Sequence, residues 1–112
     1  MSQITTHILD TSLGRPAKGI KINLEERSGT EWKILGSGVT NDDGRIGDLL
    51  ANDVKLKHGI YRMTFEVKPY FDKQNVISFY PSVTVEFEVT EDRHYHVPLL
   101  LNPFGYSTYR GS

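Results

Sequence analysis

Val83, Val85, Phe87 and Val89 alternate with Thr84, Glu86 and Glu88, the clearest period-two segment of the chain. A strand with one buried and one wet face produces that alternation. The same rule finds Ile20, Ile22 and Leu24 set against Lys21, Asn23 and Glu25. Ile4 to Leu9 reads as a first strand, closed by the turn-rich Asp10-Thr11-Ser12-Leu13-Gly14-Arg15-Pro16. Trp32, Ile34 and Leu35 open a strand running towards Val39, and Asn41-Asp42-Asp43-Gly44 is a strong turn signal ahead of a very short strand at Arg45. Gly59 to Val67 is strand-rich, with Ile60, Met63, Phe65 and Val67 in imperfect alternation. Tyr95 to Leu101 and Tyr106 to Tyr109 supply the last two strands, divided by Asn102-Pro103-Phe104-Gly105. One helical turn is predicted, at Tyr70 to Asn75 after Pro69. About eight short strands are too many for one flat sheet in this length, so an all-β sandwich of two four-stranded sheets is expected.

The chain has 112 residues, enough for a single domain, 1–112, with one core. Its net charge is -1 and its basic residues never form a run, so neither nucleic acid nor an anionic membrane is an expected partner. Cysteine is absent, which excludes disulfides, thiolate catalysis and cysteine-bound zinc. The apolar runs are too short to span a bilayer as a helix. No basic-then-apolar leader precedes Ile4 and the last residues are not a Ser-Lys-Leu address, so a cytoplasmic protein is expected.

Polar chemistry gathers at four places. His7 sits in mid-strand; period two puts it with Thr5 and Leu9, opposite Ile4, Thr6 and Ile8. It is either a satisfied interior histidine or a site residue. His96 shares a strand face with His94, Pro98 and Leu100, with His94 at the strand edge facing solvent. Two histidines at that spacing are also a possible metal pair, with His7 as a third ligand, though no second shell accompanies them. Pro98 removes a ladder donor and predicts an irregular strand end. Arg45 follows the Asp-Gly turn, where a solvent-exposed arginine is common. In Tyr109-Arg110-Gly111-Ser112, parity groups Tyr109 with Ser107 and Gly111, facing the presumed pocket, and turns Arg110 away towards structure or an interface.

Three segments carry a resemblance: His7-Ile8-Leu9-Asp10 with Gly14-Arg15-Pro16-Ala17, His94 to Leu101, and the closing Tyr109-Arg110-Gly111-Ser112. Together they resemble the 5-hydroxyisourate hydrolases among the transthyretin-like proteins, and the element order agrees over essentially the whole chain. The resemblance implies a transthyretin-like sandwich with one short helix between its fifth and sixth strands. It implies hydrolytic opening of 5-hydroxyisourate to 2-oxo-4-hydroxy-4-carboxy-5-ureidoimidazoline, without cofactor or catalytic metal. It assigns catalysis to His7, Arg45 and His96, and substrate contacts to His7, Arg45, Tyr109 and Ser112. Finally it implies a homotetramer with sites between subunits. The alternative on the same fold is a non-enzymatic small-molecule carrier.

Overall fold

The structure, a computed structural model, describes residues 2–111. Ten strands and one helix follow in order: β1 (Ile4–Asp10), β2 (Arg15–Pro16), β3 (Lys21–Ser28), β4 (Glu31–Val39), β5 (Arg45–Ile46), β6 (Gly59–Glu66), α1 (Lys68–Asp72), β7 (Val83–Val89), β8 (Tyr95–His96), β9 (Leu99–Asn102) and β10 (Gly105–Thr108). One sheet is the antiparallel order β4-β3-β6-β7. The other holds β10-β9-β1-β2, with β5 and β8 also paired to β1.

The expected two four-stranded sheets therefore become a four-stranded sheet and a six-stranded one. The difference is one of interruption. β8 and β9 pair with β1 in a single parallel register, Thr5 opposite His96 and Ile8 opposite Leu99. They form one lane, broken where Pro98 has no N–H to give. On the other edge of β1, β5 pairs with Thr6 and His7, and β2 with Leu9 and Asp10. Ile8 bridges the two, its N–H donating to the Gly44 carbonyl at 2.8 Å and its carbonyl accepting from Ala17 at 3.0 Å. The second sheet is thus four lanes wide, with β1 the second lane in. Sequence pattern could not find β2, a two-residue pairing with both residues exposed. The helix begins two residues earlier than the expected Tyr70, with proline in its first turn, where a missing N–H costs least.

The core lies between the sheets. Ile4 and Ile8 of β1 and Leu99 and Leu101 of β9 meet Ile22, Leu24, Met63 and Phe65 from β3 and β6. β1 alternates strictly, with Ile4, Thr6, Ile8 and Asp10 buried and Thr5, His7 and Leu9 half-buried on the outward face. Among the described residues Asp10 is the one carboxylate in the core. Its oxygens accept from the Ser12 main chain at 2.9 Å, Leu13 at 3.2 Å and the Tyr70 hydroxyl at 2.7 Å. Burial alone would raise its pKa; the hydrogen bonds from Ser12, Tyr70 and Leu13 outweigh burial and hold it below the ordinary carboxylate value. Asp10 thereby shapes the β1–β2 turn and fastens α1 to β1. Among the described residues no buried side-chain nitrogen or oxygen lacks a partner.

Candidate active site

The outward face of β1 carries the site. His7 pairs directly with Arg45 of β5, and Thr5 with His96 of β8. Directly paired residues project to the same face of a sheet, so Thr5, His7, Arg45 and His96 occupy three adjacent lanes. Lanes are about 4.8 Å apart, so the patch is roughly 10 Å across. A cleft of about 350 Å³ opens there, lined by Thr5, Arg45, Gly47, His94 and His96 among others.

Arg45 is placed by its turn. The Asn41 side-chain oxygen accepts from Asp43 N–H at 2.9 Å and Arg45 N–H at 3.0 Å. Gly44 adopts φ +71°, and a Cβ there would stand 2.5 Å from the Ile8 carbonyl oxygen. Only glycine satisfies both conditions, and it delivers Arg45 into register with His7.

His96 is held on two sides. Its Nδ1 lies 2.8 Å from the Thr5 hydroxyl. Behind it, the chain after β10 keeps the β9–β10 register past Pro98, and Gly111 N–H donates to the His96 carbonyl at 2.8 Å. A Cβ on Gly111 would approach His96 Cδ2 to 2.7 Å, so the bare glycine is what lets the ring lie flat there. Nε2 is the nitrogen left for chemistry.

Both imidazoles have lowered basicity. For His7 the causes are burial and then the Arg45 charge, opposed in part by a main-chain hydrogen bond with Asp43 and the Asp43 carboxylate. For His96 they are burial, then Arg45, His94 and His7. Neutral imidazole at neutral pH is a competent proton acceptor. A fixed guanidinium beside it suits a developing oxyanion.

His94 is exposed, as expected, yet it also belongs to this cluster. Its Nε2 lies 2.8 Å from the same Thr5 hydroxyl, and its ring stacks on His96 with centroids 6.4 Å apart. The two histidines converge on a threonine rather than on a shared cation position. Among the described residues no three His, Asp or Glu side chains are grouped to hold a metal ion.

The closing segment divides. Arg110 turns away from the cleft: its guanidinium lies 4.6 Å from the Tyr95 ring centroid and 3.3 Å from Glu91. Tyr109 falls opposite Pro98 in the shared register, so parity puts it on the outward face. It is 59% exposed and does not line the cleft; it borders a second groove with Arg110, Phe87 and Tyr95. Tyr109 thus shares the outward face with His7 and Arg45, at its margin, about three lanes or roughly 14 Å from Arg45. Ser112 lies outside the described residues. Thr5 was legible only as a neighbour of His7 on one strand face, and nothing in the sequence marked it as a histidine's partner.

Residues 4–111 match the HIUase/Transthyretin family. The chain belongs to that family. It is 45% identical over 112 residues to a probable 5-hydroxyisourate hydrolase of Caenorhabditis elegans, covering 99% of this chain and 82% of the relative. The solved structure of Klebsiella pneumoniae 5-hydroxyisourate hydrolase superposes with a TM-score of 0.86 at 36% identity, over 97% of this chain and 98% of that one. Sea bream transthyretin in complex with thyroxine superposes at 0.91 with 29% identity, over 98% and 95%. One fold thus carries a hydrolase and a hormone-bound protein, and the side chains on the outward face must distinguish them.

Proposed function

We propose that the protein is a 5-hydroxyisourate hydrolase, acting in urate degradation. The observation that carries this is the convergence of Arg45 with two imidazoles of lowered basicity on one sheet face, in a chain whose relatives bear that activity. Water adds to a ring carbonyl carbon of 5-hydroxyisourate. His7 or His96 takes the proton of that water as the new C–O bond forms. Arg45 balances the charge on the carbonyl oxygen. The carbon–nitrogen bond of the ring then breaks and the histidine's proton passes to the departing nitrogen, which becomes the terminal nitrogen of the ureido group, while the carbonyl carbon keeps its bond to the neighbouring ring carbon as a carboxylic acid that loses its proton to solvent. Tyr109 would orient the heterocycle from the margin, and Ser112 is proposed as a further substrate contact.

A homotetramer with shared sites is part of the same proposal. β7 and β10 are open edge strands, with Phe87 and Tyr109 beside the groove between them. The turns after β1 and β9 lie at one end of the molecule and expose Leu13 and Phe104. Surfaces of this kind are what assembly covers. An active species sedimenting as a monomer would remove this part.

The carrier reading rests on the sea bream likeness. It leaves Arg45, His7 and His96 without a task on a face where an apolar ligand would favour apolar walls. One assay separates the two: 5-hydroxyisourate is generated in situ from urate and its ultraviolet decay followed. The hydrolase accelerates the decay in proportion to protein; an unchanged decay leaves the carrier.

A further inference from the structure

The Thr5 hydroxyl has two imidazole nitrogens at hydrogen-bonding distance, His94 Nε2 and His96 Nδ1, both at 2.8 Å. A hydroxyl has one proton to donate. It cannot donate to both rings, so at least one of them must give it an N–H. The tautomers of His94 and His96 are thereby tied together. In one arrangement His96 Nδ1–H donates to Thr5 and Thr5 donates to His94 Nε2, so His96 presents a lone pair at Nε2. In the other, His94 Nε2–H donates to Thr5 and Thr5 donates to His96 Nδ1, so His96 presents an N–H instead. A third, with both rings donating to the two lone pairs of the Thr5 oxygen, also leaves Nε2 bare, so only the second withdraws the base.

We infer that Thr5 and His94 are positioning residues that hold His96 in its Nδ1–H tautomer and so aim a basic Nε2 into the cleft. The Arg45 guanidinium lines the same cleft and favours a lone pair over an N–H there. Around His94, Asp92, Arg93 and Lys55 line the cavity on its far side. Arg45 and His7 stand on the His96 side, while Arg110 and Glu91 are paired with each other and turned to Tyr95. No role for His94 follows from spacing alone; it follows from the shared hydroxyl.

The role in turnover rests on the hydrolase reading, so the first measurement needs no substrate. Long-range proton–nitrogen spectra of histidine-labelled free protein report which His96 nitrogen carries the proton. The wild type is expected to show Nδ1–H at His96 at neutral pH. Thr5→Val keeps the branched shape, loses the hydroxyl, and should lose that single-tautomer signature; Thr5→Ser should restore it. His94→Phe leaves Thr5 free to donate to His96 Nδ1 and should move the proton to Nε2. In the decay assay Thr5→Val and His94→Phe should lower kcat about tenfold or more with KM little changed, while Thr5→Ser stays near wild type. A wild-type His96 carrying its proton on Nε2, or a Thr5→Val protein with an unaltered His96 spectrum, overturns the inference. Spectra as expected in a wild type that does not turn over substrate would instead sink the hydrolase reading.

Discussion

Arg45 and Gly111 show how little a residue's identity says before its neighbours are known. In the sequence Arg45 is one of many exposed cations; in the fold it is the charge that, after burial, lowers both His7 and His96. Replacing it by alanine should lower kcat/KM by about 10²–10³. It should also move the acid limb of the pH–rate profile to higher pH, because removing a nearby positive charge makes imidazolium easier to form. A pH–rate series with an unmoved limb would show that Arg45 does not face the base. The sign for stability follows from the same shifts. Both histidines are easier to protonate unfolded than folded, so their contribution is whole above about pH 6.5 and lost as pH falls through the lowered folded values. Gly111→Ala should push the His96 ring aside. We expect kcat to fall about tenfold, a barrier change of about 1.4 kcal/mol, with the urea midpoint close to wild type. Equal losses of activity and stability would mean that Gly111 serves folding alone.

At the level of elements, β1 organises the molecule. Its inward face builds core and its outward face builds the site, so one period-two pattern serves both. That division was legible, since His7 and Thr5 alternate with Ile4, Thr6 and Ile8. The role of Asp10 was not. Three residues after His7 in the same motif, it points inward and accepts from Ser12, Leu13 and Tyr70. Asp10→Ala would leave the Tyr70 hydroxyl without its partner and free the turn, costing about 2–4 kcal/mol in urea unfolding. Because its folded pKa is lowered, this contribution is present above the ordinary carboxylate value near 3.8 and fades as pH falls below it. A loss that stayed constant down to strongly acid pH would show that the charge of Asp10 does not matter. Pro98 also acts at this scale. It was read as a strand irregularity, and it breaks one lane into β8 and β9 without changing its register.

For the whole molecule, residues 109–111 run alongside the lane of His96 without contributing core. Removing residues 109–112 should abolish turnover, since the Gly111–His96 bridge goes with them. The circular dichroism spectrum should remain that of the folded sandwich. A truncated protein that keeps its activity would reduce this segment to an edge. Alternation and turn residues determined the succession of the main strands along the chain, the sandwich class and the faces of β1, because side-chain parity within one strand is a local property. They also exposed the motifs that carry the family. Only the tertiary structure decided which residues meet across strands. Register brought Arg45 to His7, His96 to Thr5 and Gly111 to His96, and it left Tyr109 at the margin. Pairing between segments up to about ninety residues apart is settled by the burial of the whole core, and no short window of sequence contains that information.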